Sequence, residues 1–306
     1  MSDKLPFLIV VTGPTASGKT GLAIALAQHF NTVVLSADSR QFYQGMAIGT
    51  AQPTAAELAS VKHYFINDRS VEAPLNAGSY ADEALALLEK LFLEHPVVIV
   101  CGGTGLYIRA LLDGLDAFPT IPAHFREELM NELAANGIEA LVDELHSKDP
   151  SYASQVDLNN PHRIVRALEV IRATGKPYSS YLKNDKSKRN FTAIQIAIDL
   201  DRAELYDRIN RRVDVMLEMG LEEEVGLLKN HFHLNALQTV GYKEWPAYFA
   251  GTIDRNQLIE EIKQHSRNYA KRQITWFKRD ERVHWIKGAD LNQALLLCTE
   301  IMKGYE

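Results

Sequence analysis

The residues best suited to chemistry lie in one stretch near the amino terminus, Gly13-Pro14-Thr15-Ala16-Ser17-Gly18-Lys19-Thr20. The stretch matches G-x-x-x-x-G-K-[ST] at every fixed position, follows an apolar run and precedes a helical pattern, as a phosphate-binding loop requires. In such a loop, backbone N–H groups and the positive end of the following helix bind phosphate oxygens. We expect the phosphate ligand to contact Gly13, Thr15, Ala16, Ser17, Gly18, Lys19 and Thr20.

Two side chains of this loop have specific expected tasks. Lys19 would reach the outer phosphate oxygens, and the hydroxyl of Thr20 would bind Mg²⁺. The motif leaves the ligand itself open, because a diphosphate and a triphosphate would both fit. The competing interpretation is a glycine-rich turn between a strand and a helix that happens to contain a lysine.

A second reactive group follows the next predicted strand as Asp38-Ser39-Arg40-Gln41. Ligands of open α/β sheets bind at the carboxyl ends of the strands, so this tetrapeptide is expected beside the phosphate loop. The carboxylate of Asp38 could bind Mg²⁺, act as a general base or cap the next helix. Spacing alone does not separate these three roles.

A third group, Gly102-Gly103-Thr104-Gly105, follows another apolar run. Glycines at the end of a strand let the backbone approach a ligand closely, because no Cβ is in the way. Thr104 is the side chain there that offers a hydroxyl. The alternative is a tight turn that only packs a helix against the sheet.

These groups need a scaffold that brings them together. Predicted strands occupy 7–11, 32–37, 96–101, 193–200 and 283–286, and the runs at 7–11 and 96–101 are apolar throughout, as in strands buried on both faces. They predict an α/β fold with a P-loop NTPase-like parallel sheet flanked by helices. Residues 1–115 would form the first part of this core and residues 192–306 the return of the chain to it.

Residues 116–191 differ in character and predict an all-helical insertion, with helical patterns at 125–134, 138–145 and 161–174. The second half of the insertion is rich in lysine and arginine. His162, Arg163 and Arg166 fall on one side of a predicted helix, which favours a ridge that follows phosphates. A solvated charged face is the alternative interpretation.

Composition narrows the class of protein. The chain has 306 residues, of which 46% are hydrophobic and 24% charged, as in an ordinary globular protein. The net charge of −6 argues against a uniformly basic nucleic-acid binder, and the two cysteines are far apart, which excludes a zinc signature. The sequence contains no signal-peptide pattern and no apolar run of transmembrane length, so we expect a cytoplasmic protein.

Together with further motifs, these groups resemble the bacterial tRNA dimethylallyltransferases, also called tRNA isopentenyltransferases, over nearly the whole chain. The resemblance rests on an ordered set of separated motifs. Besides the phosphate loop, the set comprises Ser36-Ala37-Asp38-Ser39-Arg40-Gln41-Phe42-Tyr43, Gly102-Gly103-Thr104-Gly105-Leu106-Tyr107, Arg163-Ile164-Val165-Arg166-Ala167-Leu168-Glu169-Val170, Thr174-Gly175-Lys176-Pro177, Val240-Gly241-Tyr242-Lys243-Glu244 and Ala270-Lys271-Arg272-Gln273-Ile274-Thr275-Trp276-Phe277. The sequence departs from the family at Ala47, Gln52 and Lys62-His63-Tyr64, where the family usually has an acid, a lysine and Pro-His-His.

The resemblance implies transfer of the dimethylallyl group of dimethylallyl diphosphate to N6 of the adenosine just 3′ of the anticodon in tRNA. The phosphate loop would then hold a diphosphate leaving group, with Mg²⁺ on Thr20. The implied catalytic residues are Asp38 as the base, Thr104, Lys19, and Arg208 or Arg212 from a long helix. The implied tRNA-binding residues are Asp38, Ser39, Arg40, Gln41, Thr104, Arg126, His162, Arg163, Arg166, Lys271 and Arg272. We expect the partner to be the anticodon stem-loop, with no membrane association and a monomeric protein.

Three other functions use the same features. An adenylate isopentenyltransferase would run the same chemistry on AMP, ADP or ATP, although a mononucleotide leaves the basic insertion without a ligand. A small-molecule kinase would place ATP on the phosphate loop. A non-catalytic RNA-binding nucleotide switch would bind tRNA tightly without turnover.

Overall fold

A computed structural model describes residues 5–183 and 186–305 of the chain. It divides into two units, the described parts of Met1–Asp113 and Lys188–Glu306 forming one and Gly114–Ser187 the other. The predicted insertion boundaries were 116–191. No helix in the described part of the chain combines the length and the apolarity needed to cross a membrane.

The larger unit is built on a six-stranded parallel sheet, which confirms the predicted α/β fold. The strands are β1 (Phe7–Thr12), β2 (Val34–Ser36), β3 (His63–Tyr64), β4 (Val97–Cys101), β5 (Thr192–Asp199) and β6 (Val283–Lys287). Their order across the sheet is β3-β2-β4-β1-β5-β6. In the register of the sheet, Phe7 of β1 lies opposite Val97 of β4 and Thr192 of β5.

Helices cover both faces of this sheet. In the larger unit they are α1 (Lys19–His29), α2 (Ala55–Ser60), α3 (Ala77–Leu91) and α4 (Gly105–Asp113), and then, after the insertion, α9 (Arg202–Glu218), α10 (Leu221–Leu227), α11 (Trp245–Phe249), α12 (Arg255–Phe277) and α13 (Leu291–Lys303). Alternate side chains of β1 enter opposite cores: Leu8 and Val10 pack into one, Ile9 and Val11 into the other. Because both faces are buried, the strand reads as one continuous apolar run.

The described residues of Gly114–Ser187 form helices and no strand. They are α5 (Ala123–Asn136), α6 (Glu139–Lys148), α7 (Pro150–Ala153), α8 (Pro161–Thr174) and a short 3-10 helix at Tyr178–Tyr181. Leu129, Leu145, Ile164 and Leu168 meet in a separate apolar core, so this unit has its own packing. Helix α8 begins where Asn160 accepts a hydrogen bond from the N–H of Arg163 and ends at Gly175 in the left-handed conformation, two standard helix boundaries.

Some predicted elements differ from the structure. β2 is shorter than the predicted strand at 32–37, and the two-residue strand β3 was not predicted, because His63–Tyr64 has neither the length nor the apolar pattern of a strand. α12 begins at Arg255, where Asp254 and Gln257 form a capping box, five residues before the predicted start at residue 260. The ends of helices that depend on capping residues are harder to predict from the sequence than strands marked by apolar runs.

Candidate active site

The carboxyl ends of β1, β2 and β4 meet at one edge of the sheet, and hydrogen bonds join them. The hydroxyl of Thr12 donates to the carbonyl of Gly102 at 3.0 Å, and the N–H of Ala37 donates to the carbonyl of Cys101 at 2.8 Å. A Cβ on Gly102 would lie 2.3 Å from the carbonyl oxygen of Ala37, so this contact requires a glycine. The sheet topology therefore brings all three predicted groups together.

The phosphate loop has the backbone conformation that its sequence predicts. Gly18 has φ of 92°, in the left-handed region, and helix α1 begins at the next residue. The hydroxyl of Ser17 is buried and has no hydrogen-bond partner among the described residues. A buried hydroxyl without a partner is costly, and the expected contact of Ser17 with a phosphate stays a prediction. The Nζ of Lys19 donates to the carbonyl of Pro14 at 3.2 Å, inside the same loop.

Two cations of the site form no direct ion pair with a described residue, and the carboxylate of Asp38 is a nearby charge that favours the charged form of each. Lys19 and Arg212 form no ion pair with any residue in the described ranges 5–183 and 186–305, and burial lowers the pKa of each. Arg208, by contrast, is paired with Glu204 at 2.7 Å. Desolvated positive charge without a partner is unfavourable unless an anion joins it. The two arginines that the sequence left equivalent thus differ in burial and pairing, and their roles toward a diphosphate stay predictions.

Asp38 lies in a turn at the end of β2. Its Oδ1 accepts a hydrogen bond of 3.0 Å from the N–H of Arg40. Among the described residues the next helix is α2, which Thr54 caps, so the helix-cap interpretation of Asp38 is wrong. Thr104, in the loop that follows β4, fixes this turn, because its Oγ1 accepts a 3.0 Å hydrogen bond from the N–H of Ser39. The carboxylate is left to face the cleft.

Gln41 and Arg40 already have partners. The Nε2 of Gln41 donates to the carbonyls of Thr50 at 3.2 Å and Ala51 at 2.9 Å, and its Oε1 accepts from Ser36 at 3.2 Å. Arg40 donates to Asn235 at 3.2 Å. Gln41 therefore holds the loop that follows it, and its expected contact with RNA, like that of Ser39 and Arg40, stays a prediction.

Two cavities adjoin Asp38. One is an open cleft of about 880 Å³ lined by Ala16, Gly18, Lys19, Thr20, Arg208 and other residues of the phosphate loop side. The other is a smaller pocket of about 90 Å³ whose walls include the apolar side chains Ile209, Val213, Met216, Val240 and Ile262. Both cavities are lined by Thr15, Asp38, Thr50, Arg212 and Tyr269. A polar anion site and an apolar pocket thus share a border at a carboxylate.

Three residues of this region were not predicted as site residues. Tyr269 of α12 lines both cavities, as Asp38 does. Burial, reinforced by the charge of Asp38, raises the pKa of Tyr269 to about 12, so its hydroxyl keeps its proton at neutral pH. Gln273, one helical turn further, contacts the phosphate loop. The signal in the sequence was the motif at 270–277, which begins directly after Tyr269 and contains Gln273. The aromatic residues of this segment could equally have belonged to the core.

Glu224 of α10 is the third of these residues. Its carboxylate accepts hydrogen bonds from the N–H groups of Ile48 at 2.8 Å and Gly49 at 2.9 Å and from the hydroxyl of Tyr242 at 2.6 Å. These bonds hold the backbone at Gly49, which lines the smaller pocket, against Tyr242. Nothing in the local sequence around Glu224 indicates such partners.

The predicted RNA-binding cations lie in both units. In the insertion, His162 and Arg163 are exposed in the first turn of α8, and Arg166 lies one turn further. Arg126 of α5 and Arg166 both bind the buried carboxylate of Glu169, at 3.2 and 3.0 Å. In the larger unit, Lys271 and Arg272 are exposed on α12. Their contact with RNA stays a prediction.

Known proteins are similar to this chain in sequence and in fold. A tRNA dimethylallyltransferase from Cytophaga hutchinsonii is 49% identical over 287 residues, which is 94% of each chain. Another from Flavobacterium johnsoniae is 45% identical and covers 98% of this chain and 99% of its own. The solved structure of the full-length tRNA isopentenylpyrophosphate transferase from Bacillus halodurans has 33% identity and a TM-score of 0.71, and covers 98% of this chain and 96% of its own.

A sequence model described as IPP transferase matches residues 41–280. The match includes the insertion, α9 and α12, and it begins just after Asp38. With these relatives aligned over more than nine-tenths of the chain, the chain belongs to the IPP transferase family.

Proposed function

We propose that the protein is a tRNA dimethylallyltransferase, which transfers the dimethylallyl group of dimethylallyl diphosphate to N6 of the adenosine 3′-adjacent to the anticodon and releases pyrophosphate. The observation that carries this proposal is the shared border of the phosphate cleft and the apolar pocket at Asp38, Arg212 and Tyr269. A substrate with a diphosphate joined to a short hydrocarbon fits that border. A nucleoside triphosphate would place polar ribose where the apolar pocket opens.

The diphosphate binds on the phosphate-loop side. The backbone N–H groups of the loop other than that of Thr15, which donates to Gln273, surround the leaving group together with the ammonium of Lys19 and the guanidinium of Arg212. Their positive charge is fixed before the reaction, so it stabilises the charge that develops as the diphosphate leaves. Neither cation has a direct ion pair with a described residue, and the charge of Asp38 does not offset the burial that lowers the pKa of both, so a diphosphate would add negative charge where the site needs it.

The dimethylallyl group enters the smaller pocket. At about 90 Å³ the pocket exceeds the roughly 10–15 Å³ that one water needs by the same measure, so it has room for several carbon atoms. Ile209, Val213 and Ile262 exclude water from the reacting carbon. Water at this position would compete with the adenine amine as the nucleophile.

Asp38 acts as the general base. The exocyclic amine of adenine is a weak nucleophile, because its lone pair is delocalised into the ring. As the bond from N6 to the allylic carbon forms, the bond from that carbon to the diphosphate oxygen breaks, and its electron pair leaves with pyrophosphate. Asp38 takes the proton from N6. Thr104 holds the turn that carries this carboxylate.

Mg²⁺ would bind at Thr20. This residue lines the cleft beside Lys19, with Asp38 in the same wall. Among residues 5–183 and 186–305 no group of three or more His, Cys, Asp or Glu side chains could hold a metal. Protein sites for Mg²⁺ commonly use one or two oxygen ligands together with substrate phosphates, and the residues present fit that arrangement. When bound, the ion supplies positive charge to the leaving diphosphate.

The acceptor is tRNA. The exposed side chains of His162 and Arg163, with the guanidinium groups of Arg126 and Arg166, give the insertion a surface for an RNA backbone, whereas a free adenylate would use none of them. The target adenosine must leave its stack to reach Asp38, at a cost of a few kcal/mol. The monomeric state and the cytoplasmic location stay predictions.

The test is an incubation of the purified protein with labelled dimethylallyl diphosphate, Mg²⁺ and unmodified tRNA. We expect label in the RNA at the adenosine next to the anticodon. Parallel reactions contain AMP, ADP or ATP in place of tRNA, and tRNA with ATP in place of the allyl donor. Label in a mononucleotide but not in tRNA would overturn the acceptor, and ATP-dependent phosphorylation of a small molecule would overturn the reaction class.

A further inference from the structure

The side chain of Gln273 joins two loops that lie far from it in the sequence. It extends from α12 and is buried, with 5% of its surface exposed. Its Oε1 accepts a hydrogen bond of 2.8 Å from the N–H of Thr15, in the phosphate loop. Its Nε2 donates a hydrogen bond of 2.9 Å to the carbonyl of Gly103, at the end of β4. One planar amide thus spans the diphosphate side and the acceptor side of the site.

The space for this amide exists because residue 103 is a glycine. A Cβ at Gly103 would lie 2.2 Å from the Nε2 of Gln273, closer than any real contact. The next neighbour of that Cβ outside Gln273 is the carbonyl oxygen of Gly13, at an ordinary distance of 3.6 Å. Gly103 and Gln273 are therefore complementary in shape as well as in hydrogen bonding.

Both ends of the amide have consequences for the site. Because the N–H of Thr15 donates to Gln273, the orientation of that part of the phosphate loop depends on α12. Gly103 precedes Thr104, which holds the backbone of Ser39 next to Asp38. Hydrogen bonds therefore connect the phosphate loop to Gln273 and Gln273 to Gly103. The next residue in the chain, Thr104, is hydrogen-bonded to the turn that carries the carboxylate.

We propose that Gln273 is a positioning residue that keeps the diphosphate-binding loop and the general base in register. Although Gln273 lines the cleft, both polar atoms of its amide are bonded to Thr15 and Gly103, so it acts through those residues. The expected effect of Gln273 on catalysis rests on the proposed function. Its expected effect on the phosphate loop rests only on its hydrogen bonds with Thr15 and Gly103. Glutamine is suited to the task because one amide supplies an acceptor toward Thr15 and a donor toward Gly103.

The first experiment compares Gln273→Met with Gln195→Met. Met removes both hydrogen bonds and nearly conserves the volume of Gln. Gln195, on β5, is equally buried, with 4% of its surface exposed, and its amide faces Asp280, away from the site, so it is a matched control for loss of a buried amide. Thermal unfolding of both variants separates loss of stability from loss of register.

We expect Gln273→Met to weaken pyrophosphate binding, measured by calorimetry, and to lower kcat by about 10- to 100-fold, because a misplacement of reacting groups by 1 Å alone costs about 100-fold. The Michaelis constant for tRNA stays within about twofold, since the cations of α8 are untouched. Pyrophosphate affinity and kcat equal to those of Gln195→Met would overturn the proposal. Wild-type protein without transferase activity would refute the proposed function, whereas the pyrophosphate affinities would still decide whether Gln273 positions the loop.

The second experiment is a double-mutant cycle with Gly103→Ala, which also covers the case in which Gln273→Met does not fold. Gly103→Ala alone forces the Cβ against the Gln273 amide and should lower kcat at least as much as Gln273→Ala does. In the Gln273→Ala background the added methyl has room, so it should cost less than about twofold more. If the fold-loss of kcat in the double variant equals the product of the losses in the two single variants, the two substitutions act independently. The contact between Gly103 and Gln273 would then not hold the site together.

Discussion

Oγ1 of Thr104 accepts a hydrogen bond of 3.0 Å from the backbone N–H of Ser39, so a side chain at the end of β4 holds the residue next to Asp38 at the end of β2. The same oxygen donates its own proton toward Oγ of Ser39, at 3.3 Å. The resemblance implied that Thr104 is a catalytic and tRNA-binding residue. The geometry adds a role in which it fixes the turn of the base.

Thr104→Val keeps the shape of the side chain and removes this oxygen. The N–H of Ser39 then lacks its partner, which costs about 1–3 kcal/mol of stability for a partly buried donor. We expect kcat to fall by at least about 10-fold, since the turn of Asp38 loosens. Thr104→Ser retains the hydroxyl and should keep most of the activity. Steady-state kinetics of both variants, with thermal unfolding, provide the check, and equal activity of Thr104→Val and wild type would contradict the role.

Asp38→Asn separates the proton-accepting role from the structural one. The amide oxygen of Asn can still accept the hydrogen bond from Arg40, so the turn is expected to persist. An amide cannot accept the proton of N6, and loss of a general base costs on the order of 100- to 10,000-fold in kcat. The melting temperature and tRNA affinity should change little. A variant that loses tRNA binding together with turnover would make Asp38 a structural residue instead.

Arg212→Gln and Arg208→Gln test which arginine holds the leaving group. Arg212 has no ion-pair partner in the described ranges, whereas Arg208 pairs with Glu204 on the exposed side of α9. We expect Arg212→Gln to weaken pyrophosphate binding by about 10- to 100-fold, the value of a charged hydrogen bond of about 1.5–3 kcal/mol.

Arg208→Gln is the control, and it should change pyrophosphate affinity by less than about threefold, since an exposed ion pair is worth less than about 1 kcal/mol. Because burial lowers the pKa of Arg212, its charge destabilises the ligand-free fold. The melting temperature of ligand-free Arg212→Gln should therefore equal or exceed that of wild type. Calorimetric titration with pyrophosphate measures affinity, and the reverse order of the two variants would assign the role to Arg208.

Glu169→Gln tests whether the insertion binds tRNA through Arg126 and Arg166. The buried carboxylate of Glu169 holds both Arg126 and Arg166, and a neutral amide would bind them more weakly. We expect the Michaelis constant for tRNA to rise by about 3- to 10-fold, because two mobile guanidinium groups lose more conformational freedom when they bind RNA. The Michaelis constant for the allyl diphosphate should stay unchanged.

Glu132→Gln is the matched control for this variant. Glu132 binds Arg172 of the same helix α8, which retains Glu144 as its partner when Glu132 is replaced. The control should have wild-type tRNA kinetics, and an equal effect of both variants would mean that any loss of an ion pair in the insertion has this consequence.

The pH dependence of stability has a defined contribution from Asp280. Its hydrogen bonds with Arg282 lower the pKa of the carboxyl from 3.8 to about 2. Because the folded protein holds the charged form more strongly than the unfolded chain does, this stabilisation is fully present above about pH 4 and is lost as the pH falls toward 2. For a pair open to solvent we expect on the order of 1 kcal/mol.

Urea unfolding of wild type and Asp280→Asn at a series of pH values from 6 to 3 measures this contribution. The difference in free energy of unfolding between the two proteins should shrink as the pH falls below 4, since Asn does not titrate. A difference that stays constant over this range would show that the pKa of Asp280 is not lowered in the folded protein.

The sequence by itself determined the elements whose cause is local. The phosphate loop could be read from its fixed residues, because the left-handed backbone at Gly18 and the anion-binding N–H groups follow from the loop residues themselves. Runs rich in apolar residues identified each strand of the described residues that is longer than two residues, since a strand covered on both faces buries most of its side chains. The boundaries of α8 were equally clear, with Pro161 at its start and Gly175 after its end.

Only the tertiary structure decided which side chains meet. Arg208 and Arg212 are one turn apart on α9, look alike in sequence and both line the cleft. The packing of the helix pairs Arg208 with Glu204, whereas Arg212 also lines the smaller pocket. Gln273 lies 258 residues from Thr15, and no local pattern connects them. A periodic pattern reports which face of a helix is buried, whereas the partner of a buried polar group depends on the position of every element around it.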